Sequence, residues 1–444
     1  MASTYLTRTF GSAGNRQSWT WSGWIKKSKV YNSSASSDRE VWFGGYSASN
    51  DTDWLEFGTQ GDILFATSSA TSTTSTQVLR DVNGWYHALV NYNGSNLKFY
   101  INNELFKDST DFSGNRGINV AGKHTIGAIA TDQSIRRFNG VMSHVNFIDG
   151  TVYTPSAFGE YDANGVWKIK TSPSVTYGTN GFFILKDGNS VTDQSGNSNN
   201  FTVAGGTLTN TEDNPSNVFC TLNSIVPQAG GVSGRDASVS PSLDNGNTTA
   251  GEGTAVFSNQ IGTIFASSGK YYAECKFGGD QYCHFGIGNP TFSYASLGAY
   301  PGASLTGGVN SAGIYGSSGN ATVNGSVIFT DSSITTDTIC LAMDLDNSAL
   351  YIRRNDGAWM NSGNPESGAT KTGAIPLPSD TYTWIVTSHN NSGSGRNYMK
   401  VNFGNGYFGS TPVASAGTNA SGIGIFEYDV PTGYTALSTK GLNL

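Results

Sequence analysis

The sequence has 444 residues, enough chain for two or three domains with cores of their own. Only 13% of the residues are charged and the net charge is −7, so the chain lacks the clustered lysine and arginine that nucleic-acid binding requires. Aromatic residues reach 12%, which excludes an intrinsically disordered chain. No apolar run approaches the roughly 18 residues of a membrane-spanning helix, and the first residues do not resemble a signal peptide. We therefore expect neither membrane insertion nor export by a signal peptide.

Short apolar runs with a period of two predict β-strands throughout the chain. In 85–102, apolar residues alternate on both sides of the turn sequence at 93–96, which predicts a β-hairpin. A similar pattern recurs at 339–352 around a turn at 346–348. Long helical periodicity is absent, so the sequence predicts an all-β protein made of two tandem antiparallel β-sandwiches.

The stretch of lowest complexity, at 225–234, is rich in Gly and Ser and is typical of a linker. We therefore predict a first sandwich at 1–158 and a second sandwich at 241–444. The residues between them, 159–240, are predicted to be a connecting segment that packs on the sandwiches.

The four cysteines do not have the spacing of a zinc site, because the closest two, Cys275 and Cys283, are eight residues apart. We expect buried free thiols, since free cysteine behaves as a small apolar side chain. A bridge between Cys275 and Cys283 is the alternative.

The first half of the chain resembles the laminin-G-like, concanavalin A-like lectin and glucanase jelly roll. The motifs that carry this resemblance are WTWSGWIK at 19–26, GWYHALV at 84–90, LKFYIN at 97–102 and FNGVMSHV at 138–145. The second half resembles an SPRY-type sandwich. Its motifs are GKYYAECK at 269–276, FGIG at 285–288, LAMDLDN at 341–347, NFG at 402–404 and PTGYTAL at 431–437.

The combination of the two halves, with FIDG at 147–150, TPSAFGE at 154–160 and YGTNGF at 177–182 between them, resembles structural proteins of tailed, especially marine, bacteriophages. This resemblance covers almost the whole chain. It implies a virion component, of the tail-fibre or decoration type, with other virion proteins as partners. Fold alone does not fix the function, so the part of the virion stays open.

Catalysis is not expected, because glucanases with this fold carry Glu-x-Asp-x-Glu on one strand. The nearest match here is Glu427-Tyr428-Asp429, and the position of the third carboxylate is Pro431. Glycoside hydrolysis needs two acting carboxylates. No cofactor is predicted, and calcium is the one ion for which the loops at 187–189 and 193–197 offer oxygen ligands. The same Asp and Asn residues are also typical of turns.

Sugar recognition uses aromatic faces beside polar loop residues. The aromatic residues in such surroundings are Trp42, Tyr46, Trp54, Tyr282, Tyr300 and Trp359. Core packing is the alternative interpretation, most of all for Trp42 and Trp54, whose neighbours are apolar.

Three functions follow from these observations. The first is a non-enzymatic tail-fibre or appendage protein that binds a host-surface polysaccharide and gains avidity as a trimer or other symmetric array. The second is a capsid or tail decoration protein whose partners are other virion proteins, recognised through apolar patches. The third is a polysaccharide depolymerase. In each case the expected location is the virion.

Overall fold

Most of the regular structure is β-strand, as the period-two pattern predicts. The computed structural model describes residues 4–29, 35–47, 52–67, 72–186, 190–224, 242–252, 258–278, 282–294, 300–388 and 397–444. The chain forms two units, Met1–Asn210 with Asn214–Ser216 and Thr211–Asp213 with Asn217–Leu444. The predicted linker at 225–234 lies outside the described residues.

Over its described residues, the first unit contains fifteen strands. They are β1 (Tyr5–Phe10), β2 (Trp19–Lys27), β3 (Glu40–Tyr46), β4 (Thr52–Phe57), β5 (Asp62–Thr67), β6 (Ser72–Val78), β7 (Tyr86–Tyr92), β8 (Leu97–Ile101), β9 (Glu104–Ser109), β10 (Gly122–Ile126), β11 (Gly140–Asp149), β12 (Gly159–Tyr161), β13 (Trp167–Ile169), β14 (Phe182–Ile184) and β15 (Thr202–Gly205).

Two antiparallel sheets enclose the core of the first unit. One has seven strands in the order β15-β1-β10-β3-β4-β5-β6, and the other has six in the order β14-β11-β2-β7-β8-β9. Fully buried aromatic rings fill the space between them, among them Trp19, Trp21, Phe43 and Phe147. Each such ring removes about 150–250 Å² of surface from water, so these rings account for much of the stability of the core.

The predicted hairpin at 85–102 is confirmed as β7 and β8. Side chains along β8 alternate between buried and half-buried, as expected for a strand with one face on a core. The turn is fixed by Asn93, whose side-chain oxygen accepts the backbone N–H groups of Ser95 and Asn96 at 3.1 and 2.7 Å. Gly94 takes a φ of +90° in this turn, a conformation that favours glycine.

Residues 159–210 add strands to the first unit. β14 pairs with β11, with Ile184 opposite Val145, and β15 pairs with β1. β12 and β13 form a separate two-stranded hairpin. Its Trp167 lies against His87 on the outer face of the six-stranded sheet. The segment after the predicted first sandwich therefore extends both sheets and covers part of one outer face.

The second unit contains the remaining strands. They are β16 (Ser242–Asp244), β17 (Thr249–Glu252), β18 (Ser258–Ile261), β19 (Lys270–Lys276), β20 (His284–Gly288), β21 (Ser311–Tyr315), β22 (Asn320–Val323), β23 (Ser326–Thr330), β24 (Thr338–Asp344), β25 (Ala349–Arg354), β26 (Ile375–Pro376), β27 (Thr383–Ser388), β28 (Asn397–Asn402), β29 (Tyr407–Phe408), β30 (Thr411–Pro412) and β31 (Thr435–Ala436). Short 3-10 helices of the two units occupy Ser36–Asp38, Pro155–Ala157, Pro290–Tyr294, Met360–Ser362, Pro365–Thr370 and Gly441–Asn443.

The second unit is also a sandwich of two sheets. One follows the order β16-β17-β28-β19-β24-β25-β26, with β31 added in parallel to β19, and the other follows β18-β27-β20-β21-β22-β23. The predicted hairpin at 339–352 is confirmed as β24 and β25. Its turn is held by the Asp344 carboxylate, which accepts the backbone N–H and the side-chain amide of Asn347 at 3.0 and 2.9 Å. The all-β fold of two sandwiches is thus confirmed.

All four cysteines are free and buried, as predicted. They are Cys220, Cys275, Cys283 and Cys340, and every one belongs to the second unit. Burial raises the pKa of the Cys340 thiol to about 12. Over the described residues, no helix has the length and apolar character to cross a membrane.

Candidate functional site

Trp42 is a core residue, which corrects its place among the sugar-binding candidates. Strand β3 has a bulge between Val41 and Phe43, so both Trp42 and Phe43 turn into the core instead of alternating. The Trp42 ring has no exposed surface and stacks on Phe57 with 5.1 Å between ring centres. A ring enclosed in this way offers no face to a ligand.

Tyr46 and Trp54 lie on the outer face of the seven-stranded sheet, and both are half-buried. Trp54 stands opposite Gly44 on the neighbouring strand. The guanidinium carbon of Arg136 lies 5.5 Å from the centre of the Trp54 ring. A cation over an indole face is an attractive contact in its own right, so Arg136 already occupies part of the surface that a sugar would use.

The same arginine belongs to a buried ion-pair cluster. Glu56 has no exposed surface, and its carboxylate pairs with Arg39 at 3.0 Å and with Arg136 at 3.2 Å. Burial raises the pKa of Glu56, and the charges of Arg136 and Arg39 oppose this shift. Removing one arginine would leave a buried carboxylate with less compensation. The cluster therefore holds Arg136 in place over Trp54.

Trp359 is covered in a similar way. It forms a backbone bridge with Arg353, whose guanidinium carbon lies 5.0 Å from the Trp359 ring centre. The buried Arg353 donates to the Tyr272 hydroxyl at 3.1 Å and to the carbonyl of Asp429 at 2.9 Å. The half-buried Trp359 ring thus lies against the buried side chain of Arg353.

Tyr282 and Tyr300, in contrast, lie at the two ends of one row of aromatic rings. Each is half-buried, and they lie beside the half-buried Tyr315 and the buried His284. The His284 ring is stacked between Tyr300, at 4.3 Å and 23°, and Tyr315, at 4.4 Å and 6°. Tyr282 lies 6.4 Å from Tyr315. We refer to Tyr282, His284, Tyr300 and Tyr315 as the tyrosine site.

The sheet itself places two of these rings. His284 on β20 is directly opposite Tyr315 on β21. Their neighbours Phe285 and Ile314 point into the core, so His284 and Tyr315 point to the outer face of the six-stranded sheet. Directly opposite side chains in a sheet lie about 5 Å apart, which accounts for the stacking of these two rings.

Tyr300 reaches the sheet because two glycines leave room for the residue after it. A Cβ at Gly286 or at Gly313 would lie 2.6 or 2.8 Å from the Cβ of Pro301. Any larger residue at either glycine would therefore push the turn away from the strands.

Hydrogen bonds fix the same turn. The N–H of Gly302 donates to the Ser311 hydroxyl at 2.9 Å, and the Gly302 carbonyl accepts the N–H of Gly325 at 2.7 Å. With a φ of +90°, Gly302 is in the region that favours glycine. Tyr300 is therefore carried by a turn that is bonded to β21 and to the β22–β23 connection.

Polar side chains continue from the tyrosine site across the sheet. Thr387 on β27 pairs with His284, and Asn259 on β18 pairs with Thr387. Both are buried, and the Thr387 hydroxyl donates to the Asn259 side-chain oxygen, so these two residues stabilise the sheet. On the other side, the Asn320 side chain on β22 accepts a hydrogen bond from Thr330 on β23 at 2.8 Å. Aromatic faces with amides and hydroxyls nearby are the groups that bind sugar rings and their hydroxyls.

The predicted calcium ligands behave as turn residues where they are described. One Asp193 oxygen accepts the N–H groups of Phe183 and Ser195 at 2.8 and 2.9 Å. The other accepts the N–H of Asn199 and the hydroxyl of Ser195. The loop at 187–189 lies outside the described residues. Within the described part of the chain, no group of three His, Cys, Asp or Glu side chains is arranged to hold a metal ion.

The carboxylates nearest to a glucanase motif make internal contacts. Glu427 pairs with Lys276 at 2.8 Å, and Asp429 accepts the backbone N–H and the hydroxyl of Thr418 at 2.7 and 2.8 Å. The fully buried Glu274 accepts the N–H groups of residues 427 and 428, both at 2.8 Å. Burial raises the pKa of Glu274 to about 7. These contacts tie the C-terminal segment to β19.

His284 and Tyr315 are the two residues of the tyrosine site that were not among the candidates from the sequence. Ala312 and Ile314 alternate into the core, and Tyr315 follows them on the opposite phase. This phase is visible in the sequence. The pairing with His284 is not, because it depends on the register of β20 and β21.

Comparison with known families finds a match for about the first third of the chain. Residues 2–155 match the family model Laminin_G_3, described as the concanavalin A-like lectin/glucanases superfamily. A search of the curated proteins found no match.

Several solved structures are similar to parts of the chain. A native heptameric SAP-like pentraxin from Limulus polyphemus is 13% identical, with 34% of this chain and 73% of that chain covered and a TM-score of 0.28. A putative carbohydrate binding protein from Bacteroides ovatus is 17% identical, with 45% and 56% covered and a TM-score of 0.30. The SPRY domain of human HERC1 is 16% identical, with 36% and 91% covered and a TM-score of 0.27. The chain is thus an all-β protein whose residues 2–155 match a concanavalin A-like lectin domain.

Proposed function

We propose that this protein is a non-catalytic glycan-binding protein whose tyrosine site binds a polysaccharide. The observation that carries this proposal is a row of four aromatic rings on an outer sheet face, in which the buried His284 stacks on the half-buried Tyr300 and Tyr315, and Tyr315 lies beside the half-buried Tyr282. The rings of Trp54 and Trp359 already have arginine neighbours. The match of residues 2–155, in the first unit, to a lectin and glucanase family supports glycan as a ligand class for the protein.

The test is binding of the full chain to immobilised glycans, including neutral plant and bacterial polysaccharides. Tyr315→Ala removes an aromatic face, whereas Tyr315→Phe keeps the face and removes only the hydroxyl. We expect the first variant to lose about tenfold in affinity and the second to retain most of it. Tyr407→Ala, at another half-buried tyrosine of the same unit, is the matched control. Equal glycan binding by wild type and a folded Tyr315→Ala variant would contradict the assignment of glycan binding to the tyrosine site.

The biological setting that we propose is attachment of a tailed bacteriophage to a host-surface polysaccharide. It is supported by the sequence resemblance alone. Gold-labelled antibody against the protein on phage particles tests the setting. Label at the tail or fibre tips would support attachment, and absence of label from particles would contradict it. A trimer or other symmetric array would raise avidity on a repetitive surface, and light scattering of the purified protein measures that state.

A decoration protein is the second candidate, and one surface favours it. Strand β23 is at the edge of its sheet, carries no charged residue, and exposes Val327 by 54% and Ile328 by 36%. Uncharged edge strands with exposed apolar side chains pair readily with other chains. Label spread over the capsid in the same microscopy experiment would support this function instead.

Depolymerase activity is the remaining alternative. Release of reducing ends from host capsule by the purified protein would support it, and no release over a long incubation would agree with the non-catalytic proposal. Glu427 and Asp429 are the residues to substitute if release is seen.

A further inference from the structure

The hairpin formed by β12 and β13 in the first unit carries the most exposed aromatic side chain that the structure describes. Tyr161 at the end of β12 is 52% exposed. It stands directly opposite Trp167 on β13. The two rings meet edge to face, with 4.9 Å between their centres and an angle of 69°. This T-shaped contact is a favourable one for aromatic pairs, and it leaves a face of the tyrosine open to solvent.

A rigid base supports this pair of rings. The Trp167 indole N–H donates to Nδ1 of His87 at 3.1 Å, so these two rings lie side by side, with 5.9 Å between their centres and 20° between their planes, and Trp24 stacks on His87 with 5.2 Å between ring centres. The other ring nitrogen of His87 bonds the Ser22 hydroxyl at 2.9 Å. His87 has no exposed surface, and Trp24 is 4% exposed. The hairpin is therefore anchored to the sheet by a buried bond and two stacked rings, so Tyr161 is held in place before any ligand binds.

Polar groups border the exposed ring. The side-chain amide nitrogen of Asn103, in the turn between β8 and β9, lies 3.5 Å from the Tyr161 hydroxyl. An amide beside an aromatic face can exchange hydrogen bonds with sugar hydroxyls. The nearby ions are balanced, since Lys168 pairs with Asp162 and Lys170 pairs with Glu160, both at 3.8 Å. An uncharged ligand suits such surroundings.

We propose that Tyr161, Trp167 and Asn103 form a second glycan site, the hairpin site, which takes an uncharged sugar ring of a polysaccharide. It lies on the first unit and is separate from the tyrosine site on the second. The inference extends the proposed glycan binding, and its geometry does not depend on the tyrosine site. A protein partner would call for a wider apolar face. The other large apolar residue exposed on the hairpin is Val166, which lies in its turn next to Trp167 in sequence.

The experiment counts oligosaccharides bound per full-length chain by titration calorimetry, with cellohexaose, mannohexaose and xylohexaose as probes. We expect wild type to bind two equivalents of the preferred hexasaccharide. Tyr161→Ala and Tyr315→Ala should each keep one equivalent at wild-type affinity and bind the other about tenfold more weakly, and the double variant should bind both more weakly. Tyr161→Phe should keep both equivalents at wild-type affinity. Val166→Ala, at an equally exposed position in the turn of the hairpin, is the matched control and should bind as wild type. Binding at the hairpin site should change less than about twofold when salt rises from 50 to 500 mM, because its ligand is uncharged.

The outcomes separate this inference from the proposed function. One equivalent for wild type that is unchanged in Tyr161→Ala overturns the hairpin site and leaves the tyrosine site standing. Loss in Tyr161→Ala with no loss in Tyr315→Ala supports the hairpin site and contradicts the tyrosine site. No binding of any of the three hexasaccharides by wild type overturns the hairpin site as stated. A Tyr161→Ala variant that loses a virion protein partner but keeps both sugar equivalents also overturns it. Since Tyr161 is largely exposed, the variant should fold, and its thermal transition should match that of wild type.

Discussion

Both units place a buried histidine between two aromatic rings on the outer face of a six-stranded sheet, but they do so with different partners. In the first unit His87 lies between the indoles of Trp24 and Trp167. In the second, His284 lies between the phenols of Tyr300 and Tyr315. Trp24 is almost fully enclosed, whereas both tyrosines keep part of their surface in solvent.

The two histidines differ in the hydrogen bonding and the exposure of the rings beside them. Because an indole N–H can only donate, Nδ1 of His87 is an acceptor and the proton is on Nε2, which donates to Ser22. That stack fixes a hairpin to a sheet. The stack around His284 has two half-buried phenols instead. The first arrangement anchors a hairpin, because Trp24 is enclosed and Trp167 is bonded to the histidine, whereas the second leaves both flanking rings partly in solvent.

The largest expected effect is a difference in the free energy of unfolding lost when a ring is removed from each stack. Trp24→Ala empties a buried indole site and should destabilise the first unit by about 3–5 kcal/mol. Tyr300→Ala removes a half-exposed ring and should cost the second unit less than about 1.5 kcal/mol. Differential scanning calorimetry measures both transitions. Equal losses in the two units would contradict the assignment of one stack to structure and the other to binding.

The next effect is a loss of stability of the first unit at low pH. Burial lowers the pKa of His87 to about 3, so the folded chain keeps this imidazole neutral while the unfolded chain takes up a proton below its ordinary value of 6.5. Stability therefore falls as the pH falls, by roughly 3 kcal/mol between pH 6.5 and pH 4 from this group.

His87→Gln isolates this contribution, because His124 in the same unit also has its pKa lowered by burial, to about 4. The variant should be less stable than wild type at pH 7 and should lose less on acidification. Urea unfolding at several pH values measures the slope. Parallel slopes for the two proteins would show that His87 does not contribute the pH dependence.

A smaller effect is expected on binding at the tyrosine site. Tyr315→Ala should weaken glycan binding about tenfold, which corresponds to ~1.4 kcal/mol, without a matching loss of stability. Calorimetric titration with the preferred glycan gives the affinity, and the thermal transition of the same sample gives the stability. A variant that lost both together would indicate that the tyrosines support the fold.

The smallest effect is expected at the two arginine-covered tryptophans. Trp54→Ala and Trp359→Ala should each change glycan affinity less than about threefold, or ~0.6 kcal/mol, because Arg136 and Arg353 already lie over their rings. A tenfold loss of glycan affinity in either variant would indicate that this tryptophan contributes to binding.

The sequence was sufficient for the fold class and for both hairpins, because alternation and turn residues are local signals. It was not sufficient for Trp42. Strict alternation would send Trp42 and Phe43 to opposite faces, and only the bulge in β3 turns both inward. The bulge depends on pairing with β4, which a single sequence does not reveal.

The candidate sites show the same limit. The surroundings of Tyr282 and Tyr300 in the sequence were enough to select them as candidates. Their place in one row of rings, however, depends on Gly286 and Gly313, which let the turn at Pro301 approach the strands. Tyr161 and Trp167 lie in a short segment without strong strand signals. Their anchor, His87, is about 80 residues away in the sequence, so no local pattern connects them.

The positions of the four cysteines allow the opening of one unit to be measured without an added label. All four thiols lie in the second unit and are buried there, and a thiol enclosed in an apolar core reacts with alkylating agents only when the surrounding structure opens. The alkylation rate of the unmodified protein therefore measures opening of the second unit alone. Glycan bound at the tyrosine site should slow that rate, whereas glycan bound at the hairpin site should leave it unchanged.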